Sequence, residues 1–348
     1  MYIDILRIIA VFSVVLLHVS APFVADMNAN GIKWWWMGNI IDSATRWSVP
    51  VLIIISGKLM LDNDREEEIL PFLKRRLIKI IIPLVFWSFI YMARTNQLTI
   101  DRDGLFILSF FKRLYLGKVH IHLWYPYMIV GLYLITPIIK PYVNNVKKNN
   151  LMYFIVIWFI SNGIIGFSEK FTGYKLAFNL NFFHWSLGYF VLGFILSKYN
   201  LSKKQKNAIY ILGFLGLVAT VYLTYILTKD NNGIIIDHMY SYYAPNVIFT
   251  AIAVFVMIRD INWQRIIKDN NMIKNIISSL SKTSFGVYLV HLLVLNIISS
   301  GDIGISIKAS SFNLIIGIPL VSIMTFIISH FAVKILQKIP LLNIVLPK

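Results

Sequence analysis

Apolar runs long enough to cross a membrane recur along almost the whole chain. About ten runs of roughly 17 to 24 residues are separated by short polar loops, and a helix needs about 20 such residues to span the hydrocarbon core. Only 14% of the residues are charged and 57% are apolar, whereas roughly a quarter of a soluble domain is charged. The runs are continuous and do not alternate, which favours helices over a barrel of strands. We therefore predict an all-α fold, a polytopic transmembrane helical bundle of about ten spans.

The predicted spans cover most of the 348 residues. They lie at 5–24, 40–61, 77–95, 121–139, 151–167, 181–197, 208–228, 242–258, 284–300 and 312–335. The first run carries Asp4 and Arg7 and has no basic leader, so we expect a membrane helix there and not a signal peptide. No internal repeat or flexible linker divides the sequence, and we expect a single membrane domain over residues 1–348.

The loop charges predict an orientation. An even number of spans puts both chain ends on one side, and the loops of that side carry about twice as many Lys and Arg residues as the opposite loops. Cationic loops stay in the cytosol, so we expect both ends to be cytosolic. The net charge of +17 then indicates contact with membrane lipids and cytosolic anions, and we expect no nucleic-acid partner.

Cysteine is absent from the chain. Disulfides, a thiolate nucleophile and cysteine-based metal sites are therefore excluded. His120 and His122, with His184 and His238 on the same predicted outer side, are a weak indication of zinc because no acidic residue lies near the pair. We expect no metal.

The first predicted helix carries a polar seam. Arg7 and His18 are 11 residues apart, which is about 20° from a whole number of helical turns and about 16 Å along the axis. Asp4 lies on the same stripe, so one polar face runs from the cytosolic end deep into the bilayer. Such a seam can be a buried polar network that holds helices together. It can also place a general base, His18, at membrane depth with a cation nearer the cytosol.

Two further pairs of polar residues can each be interpreted as a functional site or as a structural contact. Asp42 and Arg46 are spaced i, i+4 with the acid first, so they form a structural ion pair or bind a sugar at the outer end of a helix. Arg76 and Lys79 are i, i+3 neighbours at a cytosolic helix start, where they clamp a phosphate or anchor the helix by the positive-inside rule.

Three other features have local interpretations. Tyr288 and His291 share one face of the ninth run, where the alternative to a site is hydrogen bonding between helices. Residues 96–120 have amphipathic apolar positions that predict a helix lying on the outer membrane interface. The tryptophans at 34–36 and Trp124 stand where an aromatic belt would anchor the protein.

Five blocks, in order and covering nearly the whole chain, resemble the acyltransferase 3 family of integral membrane O-acyltransferases. They are YIDILR at 2–7 with His18, SVP at 48–50 through ISG at 55–57, FLKRR at 72–76 with Lys79 and Pro83, HLWY at 122–125 with LITP at 134–137, and SFGVYLVH at 284–291. Within the family, the HLW block and Asp42 to Arg46 resemble the branch that contains the enterobacterial common antigen O-acetyltransferase. Lys79 stands where many members have a second arginine.

The resemblance implies an enzyme of the bacterial plasma membrane, multi-pass and dependent on acyl-CoA, with acetyl-CoA the expected form. The acceptor it implies is a hydroxyl of a cell-surface or cell-envelope glycan or glycolipid. The residues expected to act fall into three groups. They are His18 and Arg7 for catalysis, Arg7, Arg75, Arg76 and Lys79 for acyl-CoA, and Asp42, Arg46, His122, Trp124, Tyr288 and His291 for the acceptor.

Two other functions are compatible with many spans and a polar core. A transporter or flippase for a cell-surface glycan would be favoured by paired short helices broken by Pro or Gly in the two halves, and the sequence does not show them convincingly. A non-catalytic partner in a polymer-synthesis complex is the third hypothesis.

Overall fold

The computed structural model describes residues 1–62, 68–95, 106–177, 184–268, 270–302, 304, 306–340 and 342–347, and within these the regular elements are helices. The longer helices are α1 (Tyr2–Val24), α2 (Ile32–Thr45), α3 (Ser48–Leu61), α4 (Ile69–Arg94), α5 (Phe106–Tyr115), α6 (Trp124–Asn145), α7 (Lys148–Thr172, with a π-helical stretch at Phe159–Gly166), α8 (Trp185–Lys198), α9 (Lys203–Asp230), α10 (Pro245–Asp260), α11 (Asn271–Ser300) and α12 (Leu314–Leu336). Short helical turns cover Met27–Asn30, Asp237–Tyr240, Trp263–Ile267, Ala309–Ser311 and Leu342–Val345. The predicted all-α bundle is confirmed.

Nine helical segments of the described chain are long and apolar enough to cross a membrane, with α2 and α3 together forming one of them. The one remaining predicted span, 181–197, corresponds to the shorter helix α8. The α8 residues from Ser186 to Leu196 are all buried. Its 14 residues extend about 21 Å, less than the roughly 30 Å of a hydrocarbon core. Because α8 is enclosed by protein, including α3 and α7, it does not have to match the lipid thickness.

Helix α1 lies at the centre of the bundle. It packs against α2, α3, α10, α11 and α12. Its apolar residues include several that are almost fully buried, such as Leu6, Ala10 and Val15. The polar side chains of α1 therefore face other helices and not lipid, which is the position expected for functional groups in a membrane.

Glycines allow α3 and α8 to cross closely. A β-carbon at Gly57 would lie 1.8 Å from the Phe190 carbonyl oxygen, and one at Gly193 would lie 2.0 Å from the Ile54 carbonyl oxygen. Both contacts are with backbone atoms, which cannot move aside. Small residues at such crossings let helix backbones approach each other in membranes.

The long segment Ile32–Leu61 is interrupted at Arg46 and Trp47, between α2 and α3. Pro50 has no N–H and cannot donate to the Arg46 carbonyl one turn earlier, so the regular hydrogen-bond ladder is lost there. Arg46 therefore ends α2 in the interior of the bundle.

Several predicted boundaries are wrong because hydropathy reports only the apolar part of a helix. Helix α4 begins at Ile69 and not at 77, and α11 begins at Asn271 and not at 284. A helix can extend beyond the hydrocarbon core into water, where its residues are polar and hydropathy no longer detects it. The cations at 74–79 consequently lie within α4 and not ahead of it.

Two of the sequence interpretations near the predicted outer face have different outcomes. A helix is confirmed at α5 within the predicted interfacial segment, whereas residues 96–105 lie outside the described residues. The aromatic-belt interpretation is wrong for Trp35, which is fully buried and donates its Nε1–H to the Val24 carbonyl at 3.0 Å. Trp35 packs in a small core with Val24, Met27 and Tyr240.

Candidate active site

A polar seam runs between α1 and α11. Arg7 Nη1 donates to Ser281 Oγ at 2.9 Å, and Ser281 Oγ donates to Asp4 Oδ1 at 2.7 Å. Arg7 and Asp4 also form an ion pair at 3.9 Å. Ser281 thus supplies the polar partner that the sequence pattern of α1 required. The Arg7 side chain remains about 30% exposed, so part of its guanidinium is open to a ligand.

A cavity of about 310 Å³ opens beside Arg7, between α1, α3, α4, α6 and α11. Its four cationic lining residues are Arg7, Arg76, Lys79 and Lys282. No Asp or Glu belongs to its wall in the part of the chain that the structure describes. Most of the other lining residues are aliphatic or aromatic. This combination suits a ligand that joins an anionic group to a less polar chain.

Arg76 is the most constrained of these cations. Its Nε–H is buried and has no hydrogen-bond partner among the described residues. A buried donor without a partner is costly unless a ligand or water satisfies it. Lys79, nearly one turn further, is exposed and also lines the cavity. Arg75 is exposed but lies outside the cavity wall, so the structure brings together only two of the three predicted α4 cations.

Two tyrosines line the cavity on the side that adjoins a group of histidines. Tyr125 and Tyr288 have ring centroids 5.1 Å apart, and both side chains are buried. The Tyr288 hydroxyl donates to the backbone carbonyl of His122, and its ring lies 5.8 Å from that of His291. A single aromatic layer therefore separates the cavity from the histidines.

Four histidines from three parts of the chain meet behind this layer, and we call them the histidine cluster: His18, His120, His122 and His291. Ring centroids lie 5.2 Å apart for His18 and His291, and 5.4 Å apart for His122 and His291. The His120 and His122 rings are 4.9 Å apart. His122 and His291 are buried, whereas His18 and His120 are partly exposed. The cluster joins a predicted base, His18, to two predicted acceptor ligands.

Hydrogen bonds fix which nitrogens of His120 and His122 carry a proton. His122 Nε2 lies 3.4 Å from the Leu289 carbonyl, which can only accept, so that nitrogen carries the proton. His122 Nδ1 is then free to accept from His120 Nδ1, 2.8 Å away. Burial lowers the pKa of His120, which favours its neutral form. These two imidazoles thus satisfy each other.

Helix α11 is opened beside the cluster by a tyrosine of α4. The Tyr91 hydroxyl donates to the Leu289 carbonyl at 2.8 Å and accepts from the Leu293 N–H at 3.1 Å. These two backbone groups are a helical i, i+4 pair, so the hydroxyl is inserted into the ladder. Because the Leu293 N–H no longer bonds the Leu289 carbonyl, this carbonyl can also accept a hydrogen bond from His122 Nε2.

The predicted ion pair of Asp42 and Arg46 is present near the cluster. Asp42 Oδ1 and Arg46 Nη2 are 2.6 Å apart, with the Asp42 side chain only 1% exposed. The Arg46 guanidinium also stands 3.9 Å above the Tyr240 ring. Arg46 lies within electrostatic range of His18. The Asp42 carboxylate is therefore ion-paired, but the geometry of the pair is poor for hydrogen bonding, and Asp42 Oδ1 and Arg46 Nε are buried without a hydrogen-bond partner among the described residues.

Trp124 belongs to a separate aromatic cluster. Its ring centroid lies 6.0 Å from that of Trp185 and 5.5 Å from that of Tyr242, and the Trp185 and Tyr242 rings are stacked at 5.7 Å. All three residues are partly exposed. Arg46 is in electrostatic range of Tyr242, so this aromatic cluster borders the ion pair.

The structure separates the remaining histidines from the cluster. His184 hydrogen-bonds Ser186 at the start of α8, and His238 packs against Phe171. These contacts give no support to the weak indication of zinc that the four histidines offered. Within the described residues, no group of three or more His, Asp or Glu side chains is arranged to hold a metal ion.

Sequence reasoning missed much of the cavity wall, including three polar residues. Lys282 and Ser281 lie in a segment predicted to be a loop, and only the longer α11 turns them into wall residues. Tyr125 closes the HLWY block, but it is an aromatic residue in an apolar run, and nothing in its spacing assigned it to the cavity wall.

Comparisons with known proteins identify the chain at the level of its family. No characterised protein and no solved structure matches it. The family model described as acyltransferase domain, which is that of the acyltransferase 3 family, matches residues 1–333. That match covers most of the chain and includes every residue of the cavity's cationic wall and of the histidine cluster. The protein therefore belongs to the acyltransferase 3 family and is a multi-pass membrane acyltransferase.

Proposed function

We propose that this protein, in a bacterial plasma membrane, transfers an acetyl group from cytosolic acetyl-CoA to a hydroxyl of a cell-surface or cell-envelope glycan. One observation carries the proposal. A cavity with four cations and no acid in its described wall reaches to within one aromatic layer of a histidine cluster. The cavity has the chemistry of an acyl-CoA site, and the cluster has the chemistry of a proton-transfer site.

The donor would lie with its phosphates at Arg76 and Lys79. Guanidinium and ammonium groups form strong charge-assisted hydrogen bonds to phosphate, and the unpartnered Nε–H of Arg76 would gain an acceptor. The pantetheine arm would follow α1 from Arg7 towards His18, a distance of about 16 Å along the helix axis. An extended pantetheine arm has a comparable length.

The reaction we infer is a direct transfer. His18 removes the proton of the acceptor hydroxyl as the oxygen attacks the thioester carbonyl. The carbon–sulfur bond then breaks, and the thiolate of CoA takes the proton from His18. The products are the acylated glycan and CoA thiol, and no net proton is released. Since Tyr125 and Tyr288 stand between the cavity and His18, the thioester reaches His18 only if these rings shift.

The acceptor would bind on the side of the cluster that carries the ion pair. Asp42 and Arg46 offer charged hydrogen-bonding groups, and Trp124 offers an aromatic face; His122, Tyr288 and His291 surround the reacting atoms. Charged groups beside exposed aromatic rings suit a sugar, which presents hydroxyls at its edge and C–H groups on its faces. The same Asp42 to Arg46 segment and HLW block support a place in the branch that contains the enterobacterial common antigen O-acetyltransferase.

The proposal is tested with purified protein in lipid nanodiscs, radiolabelled acetyl-CoA and fractionated cell-envelope glycans. We expect label to pass to a glycan fraction in a form released by mild alkali, as an ester is. The His18→Ala variant serves as the control for non-enzymatic transfer. Failure to bind acetyl-CoA, combined with glycan movement across vesicle membranes, would contradict the proposal and favour the transporter hypothesis.

A further inference from the structure

The histidine cluster consists of two pairs that differ in their hydrogen bonds. His120 and His122 hydrogen-bond each other. His18 and His291 face each other at 5.2 Å between ring centroids, and His18 has no hydrogen bond within the described residues. His18 and His291 therefore each have at least one ring nitrogen without a hydrogen-bond partner among the described residues.

The tautomer of His291 follows from its contacts. Its Nδ1 lies 2.7 Å from the Tyr288 carbonyl, and a carbonyl only accepts, so Nδ1 carries the hydrogen. Nε2 is then the lone-pair nitrogen of a neutral ring. That nitrogen is buried and has no partner among the described residues. The His291 side chain as a whole is fully buried, so this nitrogen is shielded from bulk water.

Of the described rings in contact with His291, that of His18 has the shortest centroid separation. A centroid separation of 5.2 Å is compatible with a hydrogen bond between one His18 nitrogen and His291 Nε2 once the His18 ring rotates. Other donors surround the pair. Arg46 keeps a buried Nε–H without a partner among the described residues, but it acts electrostatically on His18 and not on His291. His122 and His120 bond each other, and the Tyr288 hydroxyl donates to the His122 carbonyl, so neither group is open to His291 Nε2.

A base in this position needs such a partner. A catalytic imidazole has to keep one nitrogen protonated and present the lone pair of the other to the substrate. Among the described residues, the Asp42 carboxylate is ion-paired with Arg46, and the charges that act on His18 are those of Arg46, His120 and His291, with no carboxylate among them. A neutral imidazole with a fixed lone pair can orient His18 at a dry site.

We propose that His291 is a positioning residue that accepts a hydrogen bond at Nε2 from one nitrogen of His18, and so fixes the His18 tautomer. The other His18 nitrogen then takes the proton of the acceptor hydroxyl, and the imidazolium keeps its hydrogen bond to His291 until the proton passes to the sulfur of CoA. The proton comes from the acceptor and leaves on the thiol, so the step is balanced. This inference rests on the proposed role of His18 as the base.

The test compares His291→Ala with His291→Gln, whose side-chain amide oxygen can occupy the place of Nε2 as an acceptor. In the nanodisc assay, His291→Ala should lower kcat by about 10- to 100-fold, the equivalent of one hydrogen bond to a charged group. The KM for acetyl-CoA should stay unchanged, because the cavity is untouched. His291→Gln should recover much of the loss.

A second readout does not depend on activity. In protein labelled with ¹⁵N at its seven histidines, the His18 ring nitrogens should give one fixed tautomer in the wild type and an exchanging mixture in His291→Ala. The His18→Ala variant assigns the signals. A His18 ring that is already averaged in the wild type, or unchanged by His291→Ala, overturns the inference even if His18 is the base. Full turnover in His18→Ala would instead show that the proposed function of His18 fails, whatever the tautomer spectra show.

Discussion

The basic cavity and the histidine cluster are neighbours with opposite electrostatics. The cavity collects four cations, of which Lys79 is exposed and Arg7 is only partly buried, and none of its described wall residues is acidic. The histidine cluster lies in the interior, where Asp42 and Arg46 neutralise each other. Tyr288 belongs to the cavity wall and also contacts the rings of His122 and His291, so it lies where the two regions meet, with the Tyr125 ring beside it.

The two regions have the environments that two separate tasks require, which are binding the donor and removing a proton from the acceptor. A polyanionic donor needs fixed positive charge and some water, because fully desolvating phosphates would be costly. A base that removes a hydroxyl proton needs a neutral ring in a dry site with its orientation fixed. If the two tasks are separate, variants in the two regions should have defects of different kinds.

The largest expected effect is that of His18→Ala. Loss of the base should lower turnover by about 10² to 10⁴, while the affinity for acetyl-CoA at Arg7 and Arg76 stays the same. His184→Ala is the matched control, since His184 is an exposed histidine outside the cluster. Turnover is measured with labelled acetyl-CoA and the melting temperature is measured on the same sample. Normal turnover in His18→Ala would remove His18 from the chemistry, and a lowered melting temperature alone would make it a packing residue.

The ion pair beside the histidine cluster should show how dry that region is. Asp42→Asn leaves Arg46 buried without its counter-charge and should destabilise the protein by about 3–5 kcal/mol. The exposed pair of Arg94 and Asp302 provides the comparison, since Asp302→Asn should cost about 1 kcal/mol or less. Thermal unfolding of both variants in the same lipid measures the difference. Equal losses would mean that the region around Asp42 is wet.

In the cavity, the double variant Arg76→Ala with Lys79→Ala should weaken acetyl-CoA binding by about 2 kcal/mol, the lower end for truncated charge contacts, because Lys79 is exposed to water. The double variant Lys74→Ala with Arg75→Ala removes the same charge from the same helix outside the cavity wall. Calorimetric titration of both distinguishes specific contact from a general cationic surface. A similar loss in both would return Arg76 and Lys79 to the role of membrane anchors.

The smallest effect concerns pH. Burial holds the pKa of His120 below its ordinary value, so above about pH 6.5 this ring is neutral both folded and unfolded. As the pH falls through that value, the unfolded chain binds a proton that the folded protein does not, and stability decreases. His120→Gln should reduce this loss. Melting temperatures of the two proteins between about pH 8 and about pH 5 test it, and identical pH dependence would contradict it.

The sequence predicted the local relations of the site well. The pairing of Asp42 with Arg46 and the adjacency of Tyr288 and His291 follow from helical spacing, and the structure contains both. The hydropathy of the chain likewise predicted its helices. All of these depend on neighbours within one helix, whose geometry is known in advance.

The convergence of distant segments was not predictable from one sequence. His18, His122 and His291 come from three regions that no periodicity relates, and their contacts depend on how α1 and α11 pack. Lys282 was missed for a similar reason, because the start of α11 carries too many polar residues to look like membrane helix. The enclosure of α8 by other helices was also invisible to hydropathy.

The most direct test of this division of work is a cryo-EM structure of the protein in nanodiscs with a thioether analogue of acetyl-CoA, which cannot transfer its acyl group. We predict phosphate density within hydrogen-bond distance of Arg76 and Lys79, a pantetheine arm running past Arg7, and the acyl end beside a displaced Tyr288 ring, facing His18. Analogue density elsewhere on the protein, with Arg76 and Tyr288 unchanged, would contradict the assignment of the basic cavity as the donor site.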